Sequence, residues 1–250
     1  MTTPPNSTDV NDCLIQGFKQ YFTIKRAESQ AVLDDIYRIR YGVYCQEFGF
    51  DLPHHQGLEQ DQFDPYSSHC LLTHKSSGMN VGCIRVISLS EEDHSIELPF
   101  ITHCADSFYP EQLKPDTIAT NKVSEISRVA VVPEFRRRSG ENSTKDGLAK
   151  MDDNFSQTRR FPYITPSLYL AAGALFLASK KQQLFVATEP RLIKSLAKLG
   201  VRFRQVSELT NYHGQRAVYT FTRQSVKADI KAMPIPVKNF FHFIEAQVTQ

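Results

Sequence analysis

Tryptophan is missing from this 250-residue chain, and several other scarcities narrow what it can be. Net charge is only +2, so no strong overall field draws the protein onto nucleic acid. Cysteine occurs at positions 13, 45, 70, 83 and 104 and never as C-x-x-C. The number is odd and most of these residues stand among apolar neighbours. That argues for reduced thiols in a cytoplasmic protein and against a disulfide framework or a zinc site. His54, His55, His69 and His74 have no partner ligands at metal-binding spacing, so no metal is expected. The chain has no internal repeat and no apolar run long enough to span a membrane. Residues 1–12 are polar with no apolar signal core, and they read as a disordered tail.

What remains is an ordinary globular composition, 41% hydrophobic and 22% charged, which suits one domain over 13–250. Leu14, Phe18 and Tyr21 suggest a short helix, and Phe22 to Ala27 a first strand. Ser29 can cap a long helix whose buried stripe is Val32, Ile36, Ile39 and Val43. A polar loop over 49–66 follows. His69 to His74 and Val81 to Leu89, joined by the turn Lys75 to Asn80, read as an antiparallel hairpin. Residues 125–132 are apolar on both faces and form a central fourth strand, stopped by Pro133.

After a polar insertion at 139–163, Thr165-Pro166 opens a helix that is apolar nearly all round. Leu184 to Thr188 is a strand, and Arg191 to Leu199 a helix ended by Gly200. Val201 to Val206 and Ala217 to Thr222 read as strands. A last helix over 236–248 buries Val237, Phe240, Phe241, Ile244 and Val248. The order predicts an α/β domain with a mixed, mainly antiparallel sheet.

Against this pattern three arginines stand where a core should be. Arg40 lies beside the stripe of the first long helix. Arg85 is in mid-strand, and Arg128 is in the fourth strand. The loop Glu59-Gln-Asp61-Gln-Phe-Asp64 supplies acids to meet them. Charges seldom enter a core unpaired, so acids and arginines are expected to converge on one buried site that binds charged ligands or does chemistry. A purely structural ion network is the bland alternative, with Arg40 and Asp64 its first members.

Arg128-Val-Ala-Val-Val-Pro-Glu-Phe-Arg136-Arg137-Arg138-Ser-Gly140 resembles the donor-binding segment of the GNAT acyltransferase superfamily. The resemblance implies a three-layer fold with a V-shaped split beside strand four. It further implies that backbone at Val129 and Val131 holds the pantetheine arm of the donor. Arg136, Arg137, Arg138 and Gly140 would then cradle phosphate. Such a loop can bind an anion through N–H groups and guanidinium bonds. Only Gly140 matches a glycine of the usual loop, and the single phosphodiester of an acyl carrier protein's phosphopantetheine would need less of that loop than the pyrophosphate of coenzyme A.

The ordered set Arg40, Glu59-x-Asp61-x-x-Asp64, Arg85, Glu125-x-Ser-Arg128 is similar to the autoinducer (acyl-homoserine-lactone) synthase branch. Tyr37 to Tyr44, Glu125 to Arg128 and Tyr212-His-Gly-x-Arg216 look closer to bacterial N-acyl amino acid synthases and PEP-CTERM/exosortase-associated acyltransferases. Autoinducer synthases usually carry a tryptophan in the early loop, which this chain lacks.

The resemblance implies transfer of a long acyl group from acyl carrier protein or acyl-CoA, as co-substrate, to the amine of an amino acid or related small amine. No permanently bound cofactor is expected. The alternatives are a homoserine lactone synthase using S-adenosylmethionine and a non-catalytic ligand-binding member. Glu125 is the first candidate for the base and Glu59 the second. Asp61 and Asp64 would hold the acceptor's ammonium or lock the arginines, while Arg85 and Arg128 would bind its carboxylate. Backbone N–H groups near Val129 and Val131 would polarise the thioester oxygen. Strand alternation puts Glu125 and Arg128 on opposite faces, so a shared site requires a bulge, predicted at Ile126–Arg128.

Overall fold

The computed structural model describes residues 7–90, 92–93, 96–114, 117–136 and 163–250. Helix α1 (Ser7–Tyr21) leads into strand β1 (Phe22–Arg26). It starts at Ser7, inside the stretch expected to be a disordered tail. Helix α2 (Gln30–Arg40) runs on without a break as a π-helix over Tyr41–Glu47. Ser29 occupies the N-cap position in extended conformation, but its side chain makes no capping bond; its carbonyl accepts from Val32 and Leu33 instead.

The polar loop contains a two-residue hairpin that the sequence did not suggest, β2 (His54–His55) with β3 (Leu58–Glu59). The expected longer hairpin follows as β4 (Ser67–His74) and β5 (Asn80–Ile87). A short α3 (Pro99–Cys104) precedes the central β6 (Val123–Val131), and α4 (Pro133–Arg136) leaves it. Helix α5 (Ile164–Ala178) begins before Thr165, with Tyr163 at its N-cap.

The second half runs β7 (Gln183–Thr188), α6 (Pro190–Ala197), β8 (Arg204–Gln205), β9 (Thr210–Asn211) and β10 (Gln215–Thr222). Two helices end the chain, α7 (Arg223–Ala232) and α8 (Ile235–Val248). Helix α7 is polar enough to escape a stripe-based reading. Thr222 and Ser225 form a reciprocal capping box at its start. Gly200 adopts φ +90° just past α6, as a helix-ending glycine should.

One sheet carries the order β1-β4-β5-β6-β7-β10-β8, with β9 on β10. All its pairings are antiparallel except β6 with β7. Helices α1, α5 and α8 cover one face, where Leu168, Phe176 and Phe240 are wholly buried. On the other face α2 packs over Leu71, Cys83 and Ala130, and α3 lays Phe100 flat on Phe185 with ring centroids 4.3 Å apart. The expected stripe of α8, Val237 to Val248, is core.

Strands β6 and β7 pair only from Val123–Gln183 to Ile126–Val186. Beyond that point they diverge, and a crevice opens between Val129 and Val131 on one side and Thr188 on the other, with Tyr169 of α5 behind. This is the split expected beside the fourth strand.

Candidate active site

Strand β6 carries a bulge where it leaves β7. Cys83 faces Ala130 and Arg85 faces Ser127, so Ile84 alone stands opposite both Arg128 and Val129. Arg128 takes φ +48°, a left-handed conformation that costs a side chain of this kind about 1 kcal/mol. The bulge lies one residue beyond the predicted position and has the predicted effect. Ile126 and Val131 both join the core under α5, although five positions apart, so the alternation shifts between them. Arg128 is thereby turned from the α5 face to the α2 face, where Arg85 and Ser127 lie. Close approach of the strands requires Gly82, because a Cβ there would stand 2.6 Å from the carbonyl oxygen of Ala130.

On the α2 face the acids and arginines close into one network. Arg40 donates through Nε to Glu59 and through Nη1 and Nη2 to Asp64 at 2.6 and 3.1 Å. Arg85 holds Asp61 at 2.5 and 3.0 Å, Asp64 at 2.8 Å, and donates from Nε to the Ser127 hydroxyl at 2.9 Å. Arg128 reaches Glu59 at 3.1 Å and Asp61 at 3.0 Å. The loop points its carboxylates inward by bonding to itself, Asp61 N–H to Asp64 and Phe63 N–H to Asp61. Arg40, Glu59 and Arg85 are fully excluded from solvent.

Burial works against the charges of Asp61 and Asp64, but Arg85 for the first and Arg40 for the second outweigh it and hold both carboxyls below the ordinary carboxylate value. Burial likewise opposes the charge of Arg40 and Arg128, and their acidic partners more than compensate. Asp61 and Asp64 therefore keep their charge beside Arg40 and Arg128, and the six side chains of the network satisfy one another's hydrogen bonds. Glu59 spends both oxygens on Arg40 and Arg128. Arg85 and Arg128 spend their guanidiniums on acids of the chain itself.

Glu125 stands on the same face of β6, next to this network but outside it. One oxygen accepts from the Phe100 N–H at 3.2 Å, in the first turn of α3. Burial pushes its carboxyl up to about 8, against the Phe100 bond and the pull of Arg85 and Arg128. It lies at the floor of a second cavity that opens beside Arg128, Tyr212 and Arg216. A carboxyl poised near neutrality at the floor of a cavity is suited to accept a proton.

The π-helix delivers Tyr44, whose hydroxyl donates to the Val129 carbonyl at 2.7 Å, fastening the bulge. Wide π turns often occur at functional sites. Rings continue across the cavity mouth: Tyr44 stacks with Phe50, Phe50 meets His213 at 4.4 Å, and Tyr212 stacks on His103 at 4.5 Å. His69 is buried beside the network, 3.6 Å from Asp64, and burial lowers its pKa to about 4.

Of the donor residues predicted from sequence, Val129 and Val131 line the split. Arg136 is turned inward, donating to Glu47 and lying 5.0 Å from the ring centre of Phe48, and it also borders the split. Arg137, Arg138, Gly140 and nearly all of the 139–163 insertion lie outside the described residues. Sequence reasoning passed over Arg216 as a site residue, although it borders both cavities. Two signals were available, its place in the Tyr212-His-Gly-x-Arg216 motif and a charge standing directly before the apolar run Ala217 to Phe221.

The architecture, with its split after a bulged central strand, defines a GNAT-type fold. Residues 39–144 match the family described as acetyltransferase (GNAT) domain, and that span holds every member of the ion network together with Glu125. Over 109 residues the chain is 33% identical to an acyl-homoserine-lactone synthase of Aeromonas hydrophila, covering 44% of this chain and 48% of that protein. The chain thus spans about half the length of the curated relatives it matches. Solved structures that share the fold include two synthases. BjaI, a CoA-dependent acyl-homoserine lactone synthase solved with SAM and isopentyl-CoA, superposes with a TM-score of 0.56 at 15% identity, covering 88% of this chain and 98% of that one. FeeM, an N-acyl amino acid synthase from uncultured soil microbes, gives 0.53 at 14% identity, covering 83% and 94%.

Proposed function

We propose that the protein is an N-acyltransferase, moving a long acyl chain from a thioester to the amine of an amino acid or a related small amine. The observation that carries this reading is Glu125, a buried carboxyl held near neutrality beside the split of a GNAT-type sheet. The donor thioester, on acyl carrier protein or coenzyme A, lies along β6 past the bulge, with its arm against Val129 and Val131. The acceptor enters the cavity above Glu125.

Glu125 takes a proton from the acceptor's ammonium, directly or through one water. The amine nitrogen attacks the thioester carbon, the C–N bond forms, the C–S bond breaks, and the thiolate leaves to be protonated. Backbone N–H groups of β6 past the bulge stabilise the developing oxyanion. In this reading Glu59, Asp61 and Asp64 position Arg40, Arg85 and Arg128 and so hold the bulge in shape. They do not touch the reacting atoms. Both acyl donors are cytoplasmic metabolites, which puts the reaction in that compartment; among the described residues no helix is long and apolar enough to cross a membrane.

A second reading has one specific observation in its favour. The 33% identity to the Aeromonas hydrophila synthase supports a homoserine lactone product, with S-adenosylmethionine as the amine acceptor.

Expression in a heterologous host, followed by mass spectrometry of lipid extracts, separates the two. N-acyl amino acids support the first reading and acyl homoserine lactones the second; no acylated amine with any donor overturns both. Glu125→Gln is expected to lower turnover by roughly 100-fold or more, the usual contribution of a proton-transfer group, while donor binding persists.

A further inference from the structure

We propose that Arg216 is the anchor for a carboxylate on the acceptor, which makes the acceptor an α-amino acid with a free carboxyl group. This inference rests on the N-acyltransferase reading and names the class of amine within it.

Arginine is the side chain best matched to a carboxylate, through two parallel N–H bonds. Four arginines are candidates: Arg128 and Arg216, which line the Glu125 cavity, and Arg40 and Arg85, which share the ion network with Arg128. Three of them are spent. Arg40 holds Glu59 and Asp64, Arg85 holds Asp61 and Asp64, and Arg128 holds Glu59 and Asp61. That set matches three arginines with three acids and offers an incoming anion no free fork. Arg216 is different. Among the described residues it has no carboxylate partner. Its Nη1 donates to the Ala187 carbonyl at a long 3.4 Å, and its Nε is buried with no partner at all. Buried polar groups are normally satisfied, and an unsatisfied one calls for an explanation.

Position supplies that explanation. Arg216 begins the apolar run of β10 and borders both the donor split and the Glu125 cavity. Its guanidinium lies 5.9 Å from the centre of the Tyr212 ring, which stacks on His103 and so holds the arm in place. A ligand carrying ammonium and carboxylate on one carbon is bipolar. With its carboxylate on Arg216, its nitrogen can turn to the one carboxyl among the residues that line that cavity, Glu125. An amine without a carboxylate leaves Arg216 unpaired.

The test compares proteinogenic α-amino acids with their own α-amides, using dodecanoyl-coenzyme A and dodecanoyl-acyl carrier protein as donors. Wild type, Arg216→Gln and Arg216→Lys are assayed side by side, with circular dichroism as the folding control. In wild type the acid is expected to exceed its amide in kcat/KM. In Arg216→Gln that ratio should fall roughly 10- to 100-fold, the range for a hydrogen bond to a charged group. Arg216→Lys should restore part of it. A ratio in Arg216→Gln equal to that of wild type overturns the proposal, as does a wild type that acylates amides as readily as acids; acylation itself stands in either case. If neither donor is used at all, the acyltransferase reading falls and calorimetry decides the role of Arg216. Amino acid binding in wild type that weakens by the same factor in Arg216→Gln upholds the anchor. No binding to wild type overturns it.

Discussion

Glu125 carries its own pH signature. Its folded carboxyl is raised to about 8 by burial, above the ordinary carboxylate value an unfolded chain would show. The folded state therefore holds a proton that the unfolded state has released, between about pH 4.5 and 8. Stability contributed by this group is fully present below that window and is lost as pH rises through it, by an amount on the order of 5 kcal/mol. Urea titrations from pH 5 to 9 should show that slope in wild type and a flatter profile in Glu125→Gln; equal slopes would remove burial as the cause. Activity should run the other way, with kcat/KM rising toward about pH 8 as the base form appears. The neighbouring arginines answer to a different rule. Replacing Arg40 with Met strands Glu59 and Asp64 in a buried site, and chemical denaturation should record a loss of about 3–5 kcal/mol. A loss under about 1 kcal/mol would mean that the network is not buried in solution.

Elements show where sequence is a good guide and where it is not. The alternation conflict between Glu125 and Arg128 was legible, because a period of two leaves no freedom. It located the bulge to within a residue. The π-helix over Tyr41–Glu47 was not legible, since Val43 fits an α stripe as well as a π turn. Helix α7 carries too few apolar residues for periodicity to find it, and β2 and β3 are too short. In the site, convergence of six charged residues could be argued from their cost in a core. Which of them would be spent on one another could not, because that depends on how the 59–64 loop folds back. The bulge itself depends on Gly82. Gly82→Ala must push the Ala130 carbonyl away, and an overpacking cost of about 1–3 kcal/mol is expected. Turnover should fall with it, as Arg128 loses its orientation. A variant with wild-type melting and turnover would show that the strands separate without penalty.

At the scale of the whole molecule the sheet is held between two unlike layers. The α1, α5 and α8 side is a wide apolar core in which Phe18, Phe176 and Phe240 are fully buried. The α2 and α3 side is divided by the ion network into two smaller apolar clusters. Stability should then reside in the first layer and chemistry in the second. Phe240→Ala, far from Glu125, is expected to cost about 3–5 kcal/mol in a melting experiment, with KM values at permissive temperature close to those of wild type. A large change in KM at full folding would mean that the two layers are coupled.

The self-satisfied network has one more consequence, for motion. Residues 59–64 look like a surface connection, with little regular structure, yet their three acids clamp α2, β5 and β6 together. Segments of this kind usually open on their own. This one cannot lift away without separating several buried ion pairs at once. Its protected amide, the Asp61 N–H bonded to Asp64, should exchange with deuterium as slowly as the amides at the centre of the sheet, and only through global unfolding.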